Sequence, residues 1–145
     1  MNLFAYGTLM CADIMLQVAG CLPAQLPVAL AHYRRCRVRG EEYPAIVGQQ
    51  DAAVQGLVYL DVPQEAWQRL DGFEGEMYDR RPVLVDGVEG KSLAAHTYVI
   101  RPEFAHLLLP SEWSYEEFLR TGRKRFAADY GGFAALAEGQ EGWGR

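Results

Sequence analysis

Cysteine is scarce and badly spaced for a structural role. Cys11, Cys21 and Cys36 are the three in 145 residues. They are odd in number and lack C-x-x-C spacing, so neither a disulfide framework nor a thiolate zinc site can be read from them. Histidine is equally sparse, and His32, His96 and His106 show no ligand spacing; no metal is expected. No Ser or Cys stands in a nucleophile elbow. No positively charged segment leading into an apolar run opens the sequence, and no apolar stretch approaches membrane-spanning length. Positive charge is also in deficit, with a formal net charge of -5. That balance argues against a general nucleic-acid binder, which needs a concentrated basic surface. The expectation is a reducing, cytoplasmic setting with neither nucleic acid nor membrane as partner.

What remains is a globular composition, 50% hydrophobic and 23% charged. The length suits one domain, 1–145, able to bury a core without staples. Asn2 to Tyr6 reads as a strand and Ala12 to Ala19 as a helix stopped by Gly20. Leu26 to Val38 is strand-like, with Pro27 suited to an edge or entry position. Tyr43 to Val47 reads as a turn entering a short extended piece, and Val54 to Val62 as a separate strand with apolar residues on both faces. A helix follows, capped by Asp61, with Pro63 in its first turn and Ala66, Trp67, Leu70 and Phe73 as its apolar stripe. Gly72 is expected to end it, leaving Glu74 on the connection to strands over Val83 to Val85 and Leu93 to Ile100. Ser114 and Glu117 are spaced as a capping box, and Trp113 and Phe118 as a hydrophobic staple, for a last helix over about 112–129. Phe118, Gly122 and Phe126 mark one face of it. The Gly/Ala-rich tail, 130–145, is expected to fray. Six or so short strands that do not alternate with helices predict an α+β fold, a small mixed β-barrel with flanking α-helices.

Two places invite chemistry. The strand at Leu3-Phe4-Ala5 runs into the turn Tyr6-Gly7-Thr8-Leu9, where backbone N–H groups can be left to grip an anion or a carbonyl oxygen. A helix N-terminus just beyond would add positive partial charge, and the Tyr6 and Thr8 hydroxyls could add donors. The same turn reads equally well as a plain connector. The second place is the acidic segment around Asp71, Glu74 and Glu76. Such clusters are usually solvated helix ends. Glu74 differs in following Phe73 at the inward edge of the helix stripe. A carboxylate drawn inward and crowded by like charges becomes a better proton carrier near neutral pH. Tyr43, Tyr78 and Tyr98 could line a pocket or simply pack the sheet. Cys11 near the turn reads as a small buried residue more readily than as a nucleophile. The basic clusters Arg34-Arg35-Cys36-Arg37-Val38-Arg39 and Arg123-Lys124-Arg125 read as solvated faces, with an alternative in which one arginine guides an anionic substrate.

The ordered set Phe4-Ala5-Tyr6-Gly7-Thr8-Leu9, Tyr43-Pro44-Ala45, Val54-Gln55-Gly56-Leu57-Val58-Tyr59 and Leu70-Asp71-Gly72-Phe73-Glu74-Gly75, followed by Tyr78 and Arg80, resembles the gamma-glutamylcyclotransferase-like family. That family includes gamma-glutamylamine cyclotransferases and plant avirulence-induced proteins. The resemblance spans residues 2 to 100. It implies a small mixed β-barrel, Glu74 as the catalytic general acid/base, and Tyr6, Gly7, Thr8 and Leu9 as a substrate-binding loop. It also implies a small-molecule γ-glutamyl substrate, cyclised to 5-oxoproline with release of an amine or amino acid and without a cofactor. The substrate could be glutathione, a γ-glutamyl amino acid or a γ-glutamyl amine. A rival of another class is a module that binds an amino-acid-like ligand in the same pocket without turnover.

Overall fold

The computed structural model describes residues 1–129. Five strands close into a barrel in the order β1-β3-β2-β4-β5: β1 Leu3–Ala5, β2 Gln25–Arg37, β3 Pro44–Tyr59, β4 Tyr78–Asp86 and β5 Ser92–Ile100. The sheet is mixed because β1 lies antiparallel to β3 and parallel to β5. The expected barrel is therefore present, with five strands rather than six. Two extended pieces expected to be separate, at Tyr43 to Val47 and at Val54 to Val62, are one 16-residue strand, Pro44–Tyr59. Between them lies the stretch Gly48-Gln49-Gln50-Asp51. In the fold β3 pairs with β2 on both sides of residues 49–52, from Arg37↔Pro44 to Tyr33↔Gly48 and from Ala31↔Ala53 to Gln25↔Tyr59, and those four residues bulge out of the ladder opposite His32, with Asp51 at φ 67. The residue passed over there, His32, sits at φ 70, as a bulge position does.

Strand alternation splits the core in two. Phe4 and Tyr6 fall in a cluster with Val28, Leu30, Ile46, Val54, Val58, Val85, Ala95 and Val99, all from strands or their ends, which fills the barrel. Leu3 and Ala5 face the other way, into a larger cluster with Ile14, Met15 and Val18 of the first helix and with Ala66, Trp67, Leu70 and Phe73 of the second. Helix α1 spans Ala12–Ala19 and stops at Gly20, φ 81, as expected. Arg69 of α2 donates from Nε to the Val18 carbonyl at 2.8 Å, satisfying one of the carbonyls at the end of α1.

Helix α2 spans Gln64–Glu74 and departs from expectation at both ends. Pro63, not Asp61, holds the N-cap position, and no side chain caps it. Asp61 lies two residues too early, at φ 51, with its N–H donated to Asn2 Oδ1 at 2.9 Å. The helix also runs through Gly72 and ends at Gly75, so Glu74 is its last residue and not part of the connection. Gly72 faces open space, where a flexible residue does not interrupt the buried stripe on the opposite face.

The last helical region begins as the capping pattern predicts. The Ser114 hydroxyl accepts from the Glu117 N–H at 3.2 Å, and the Trp113 and Phe118 rings lie 5.7 Å apart. It comprises α3 Tyr115–Glu117, a π-helical stretch Phe118–Gly122 and α4 Arg123–Asp129. Phe118 and Phe126 are buried on one face. Gly122, on the same face, packs against the segment before β3, where a Cβ would lie 2.6 Å from the Glu42 carboxylate. The tail expected to fray lies outside the described residues.

Because α2 passes through Gly72 with nothing within 4 Å of its Cβ position, Gly72→Ala should raise the unfolding free energy. The expected gain is about 0.5–1 kcal/mol in urea unfolding. A loss of stability would contradict a helix that continues to Glu74.

Candidate functional site

The turn after β1 and the end of α2 meet across one cavity of about 290 Å³. Its walls include Tyr6, Gly7, Thr8 and Leu9 from the turn, Tyr43 and Pro44 at the start of β3, and Phe73, Glu74, Gly75, Glu76, Met77 and Tyr78. Tyr98 and Phe126 complete it. Every site residue singled out from sequence, Glu74, Tyr6, Gly7, Thr8, Leu9, Tyr43 and Tyr78, therefore borders the same space.

The turn is built tightly. Thr8–Met10 form a single 3-10 turn, with Met10 N–H donating to Gly7 O at 2.9 Å and Cys11 N–H to Thr8 O at 3.1 Å. A turn of this kind leaves its first N–H groups without partners inside it. Helix α1 begins only at Ala12, so these donors belong to the 3-10 turn and not to the α-helix expected just beyond Leu9. Gly7 is required by close packing: a Cβ there would lie 2.7 Å from Pro44 Cδ and Cγ. From behind, the buried Tyr59 hydroxyl donates to Leu9 O at 2.7 Å.

The opposite wall is set by how α2 ends. Gly75 adopts φ 74 and ψ -163, a region open essentially to glycine alone, and its N–H caps the helix by donating to Asp71 O. The chain turns away immediately after Glu74, which stays half-buried on the cavity wall. Asp71, three residues earlier, faces elsewhere. It is gripped by Arg80 through two contacts of 3.1 and 3.2 Å and accepts the Tyr98 hydroxyl at 2.7 Å. The acidic cluster thus divides: Asp71 is spent on a structural pair, and Glu74 and Glu76 line the cavity.

Residues 3–117 match the family profile "Gamma-glutamyl cyclotransferase, AIG2-like". The chain belongs to that family. AIG2-like protein A of Arabidopsis thaliana is 29% identical over 126 residues, covering 86% of this chain and 76% of the relative. An Arabidopsis thaliana protein solved in solution superposes with a TM-score of 0.66 at 26% identity, over 90% of this chain and 88% of the other. A structure named gamma-glutamyl cyclotransferase shares the fold at a TM-score of 0.61 and 14% identity, covering 94% of this chain and 85% of its own.

In this member of the AIG2-like family the tyrosine hydroxyls brace the frame. Tyr6 donates to Tyr98 O at 2.7 Å and Tyr78 to Pro44 O at 2.8 Å, while Tyr43 reaches Met77 Sδ at 3.6 Å. The Tyr6 hydroxyl expected to supplement the turn's donors is thus committed to a carbonyl. Burial raises the Tyr6 phenol well above its ordinary value, and the Glu74 charge raises it further; a backbone hydrogen bond from Ile46 and the Arg35 charge oppose this. Burial likewise raises Tyr98, then its hydrogen bond to Asp71 and the Glu74 charge. Two phenols, one just beyond β1 and one on β5, thus feel the one carboxylate.

Sequence reasoning missed two contributors. Phe126 reaches the cavity because the last helical region folds back, with its ring 6.1 Å from that of Phe73. Arg35 was read as part of a solvated face, yet its side chain is only 12% exposed, and Nη1 donates to Tyr6 O at 2.9 Å. Strand alternation places it opposite the buried Cys36 and Val38, and the cover comes from Glu112 and Trp113, far along the chain. No local pattern signals that cover. The other basic cluster is tied to acidic side chains, Arg123 to Asp13 at 2.6 Å and Arg125 to Glu42 at 3.0 Å.

Gly7→Ala should cost about 1–3 kcal/mol in urea unfolding, since either the turn or Pro44 must move. A neutral substitution would show that the turn is not packed as described. Tyr6, Tyr59 and Tyr98 all hold their protons more tightly folded than unfolded. Below the ordinary tyrosine value near 10 both states are protonated and this contribution is fully present. Above it the unfolded chain ionises first, so stability falls with rising pH. Urea midpoints at pH 9 and 11 should show that fall, and Tyr98→Phe should shrink it.

Proposed function

We propose that this protein is a γ-glutamyl cyclotransferase. It converts a small γ-glutamyl compound to 5-oxoproline and releases an amine or amino acid. The observation that carries the reading is the shared cavity, with Glu74 on one wall and the Gly7–Leu9 turn on the other. Membership of the family is consistent with it.

A γ-glutamyl compound contains its own nucleophile. Its α-amine attacks the δ-carbonyl carbon, forming the C–N bond of a five-membered lactam and a tetrahedral oxyanion. Collapse breaks the bond from the δ-carbon to the leaving nitrogen. Holding one molecule folded on itself replaces a bimolecular encounter, so the protein's task is conformation and protonation. The α-amine arrives as an ammonium, whose charge complements that of Glu74. Glu74 takes one proton from it to free the attacking lone pair and passes that proton to the departing nitrogen as the C–N bond breaks; the second proton, shed by the ring nitrogen as the lactam forms, leaves to solvent. The leading N–H groups of the 3-10 turn hold an anionic oxygen of the substrate. The aromatic walls of Phe73, Tyr43, Tyr78 and Phe126 keep water from competing with the internal amine.

Glu74→Gln keeps the shape and removes the proton carrier. With a panel of γ-glutamyl compounds, 5-oxoproline formation followed by mass spectrometry should fall about 10²–10⁴-fold in that variant. Near-normal turnover would end the assignment of Glu74. Thermal stabilisation of the wild-type protein by panel members, with no product from any, would favour a binding module instead.

A further inference from the structure

Arg35 is an expensive residue to keep where it is. Its guanidinium lies beneath the segment carrying Glu112 and Trp113, 5.4 Å from the Trp113 ring and 3.5 Å from the Glu112 carboxylate. That carboxylate is 76% exposed, so it neutralises the buried charge weakly. The buried Nε finds no hydrogen-bond partner among the described residues. Burying an incompletely paired cation costs stability, and an apolar side chain of similar size would serve packing as well or better. What the guanidinium does reach is backbone: Nη1 donates to Tyr6 O at 2.9 Å and to Gln55 O at 3.3 Å.

The Tyr6 carbonyl belongs to the same peptide unit as the Gly7 N–H. That unit is planar and trans, so its C=O and N–H point in opposite directions. Arg35 is not among the residues lining the cavity, whereas Gly7 is. Fixing the carbonyl on the Arg35 side therefore turns the N–H to the other side. A cation on a carbonyl oxygen also draws electron density through the amide, making the attached N–H a stronger donor. Gly7 has no side chain to resist rotation of this peptide, so an outside anchor is needed to hold it.

We propose that Arg35 is a positioning residue for the cavity: bonded to the Tyr6 carbonyl, it locks and polarises the Tyr6–Gly7 peptide so that the Gly7 N–H serves as an anion donor. This rests on the function proposed above in assigning that donor a substrate oxygen. It does not depend on turnover for its test. Lysine would preserve a donor to Tyr6 O as a point charge but lose the fork that also reaches Gln55 O and the stack on Trp113. Glu112→Gln removes the counter-charge and leaves the bond to Tyr6 intact.

The experiment is an amide NMR titration with 5-oxoproline, following the assigned Gly7 resonance in wild type, Arg35→Met, Arg35→Lys and Glu112→Gln. In the free protein, Arg35→Met should move the Gly7 amide proton upfield and weaken 5-oxoproline binding about tenfold, the scale of one charge-assisted hydrogen bond. Arg35→Lys should recover most of both effects, and Glu112→Gln should leave both near wild type even if it lowers Tm. A folded Arg35→Met protein whose Gly7 resonance and affinity match wild type would overturn the proposal. So would Glu112→Gln matching Arg35→Met in both readouts, because Arg35 would then act only as glue beneath Trp113. If Arg35→Met does not fold, Arg35→Gln, which keeps a polar side chain and loses the charge, carries the test: its Gly7 proton should lie upfield of wild type with weaker binding, and an unshifted signal with unchanged affinity would overturn the proposal. The wild-type product assay separately decides whether the site turns over substrate.

Discussion

Strand β1 is three residues long, yet it pairs along both edges. Leu3, Phe4 and Ala5 face Tyr59, Val58 and Leu57 of β3, and on the other side Leu3 lies beside His96 of β5. The buried Thr97 hydroxyl adds a bond to Phe4 O at 2.9 Å, and His96 N–H donates to Asn2 O at 2.8 Å. This insertion closes the barrel. It also fixes the place and direction of the Tyr6–Leu9 turn, because the chain leaves β1 with its neighbours already set. A short strand held on two sides is a stiffer mount than a loop anchored at one end, and stiffness is what a donor turn needs.

The second wall depends on the larger cluster, outside the barrel. Leu3 and Ala5 of β1 share a core with Leu70 and Phe73 of α2, so the strand that presents the turn also seats the helix that ends at Glu74. The Asp71–Arg80 pair, with Arg80 4.8 Å from the Trp67 ring, pins that helix end beside Tyr98. Gly75 then diverts the chain. Burial, one ion pair and one glycine conformation together set the separation between the Glu74 carboxylate and the Gly7–Leu9 turn across the cavity.

Much of this was legible in the residues because it was local. Gly20 ends α1 and Ser114 caps α3, both through contacts within a few positions. The stripe of Ala66, Trp67, Leu70 and Phe73 is buried as periodicity demands. Where local signals misled, a non-local term decided. Gly72 looked like a helix stop, but the stripe is satisfied for one more turn and Gly75 has the stopping conformation. The pieces at Tyr43 to Val47 and Val54 to Val62 read as separate, but β2 is long enough to pair with both, on either side of the bulge at residues 49–52. Arg35 looked solvated because its cover lies in Glu112 and Trp113, and Phe126 could not be assigned to the cavity without knowing that the last helical region folds back.

The arrangement is tested most directly by a crystal structure of the protein with 5-oxoproline bound. The product should lie in the cavity, with an oxygen within hydrogen-bond distance of the N–H groups of the Gly7–Leu9 turn and its ring nitrogen facing the Glu74 carboxylate. Product bound elsewhere, or in the cavity with Glu74 turned away from it and the turn's amides untouched, would contradict it.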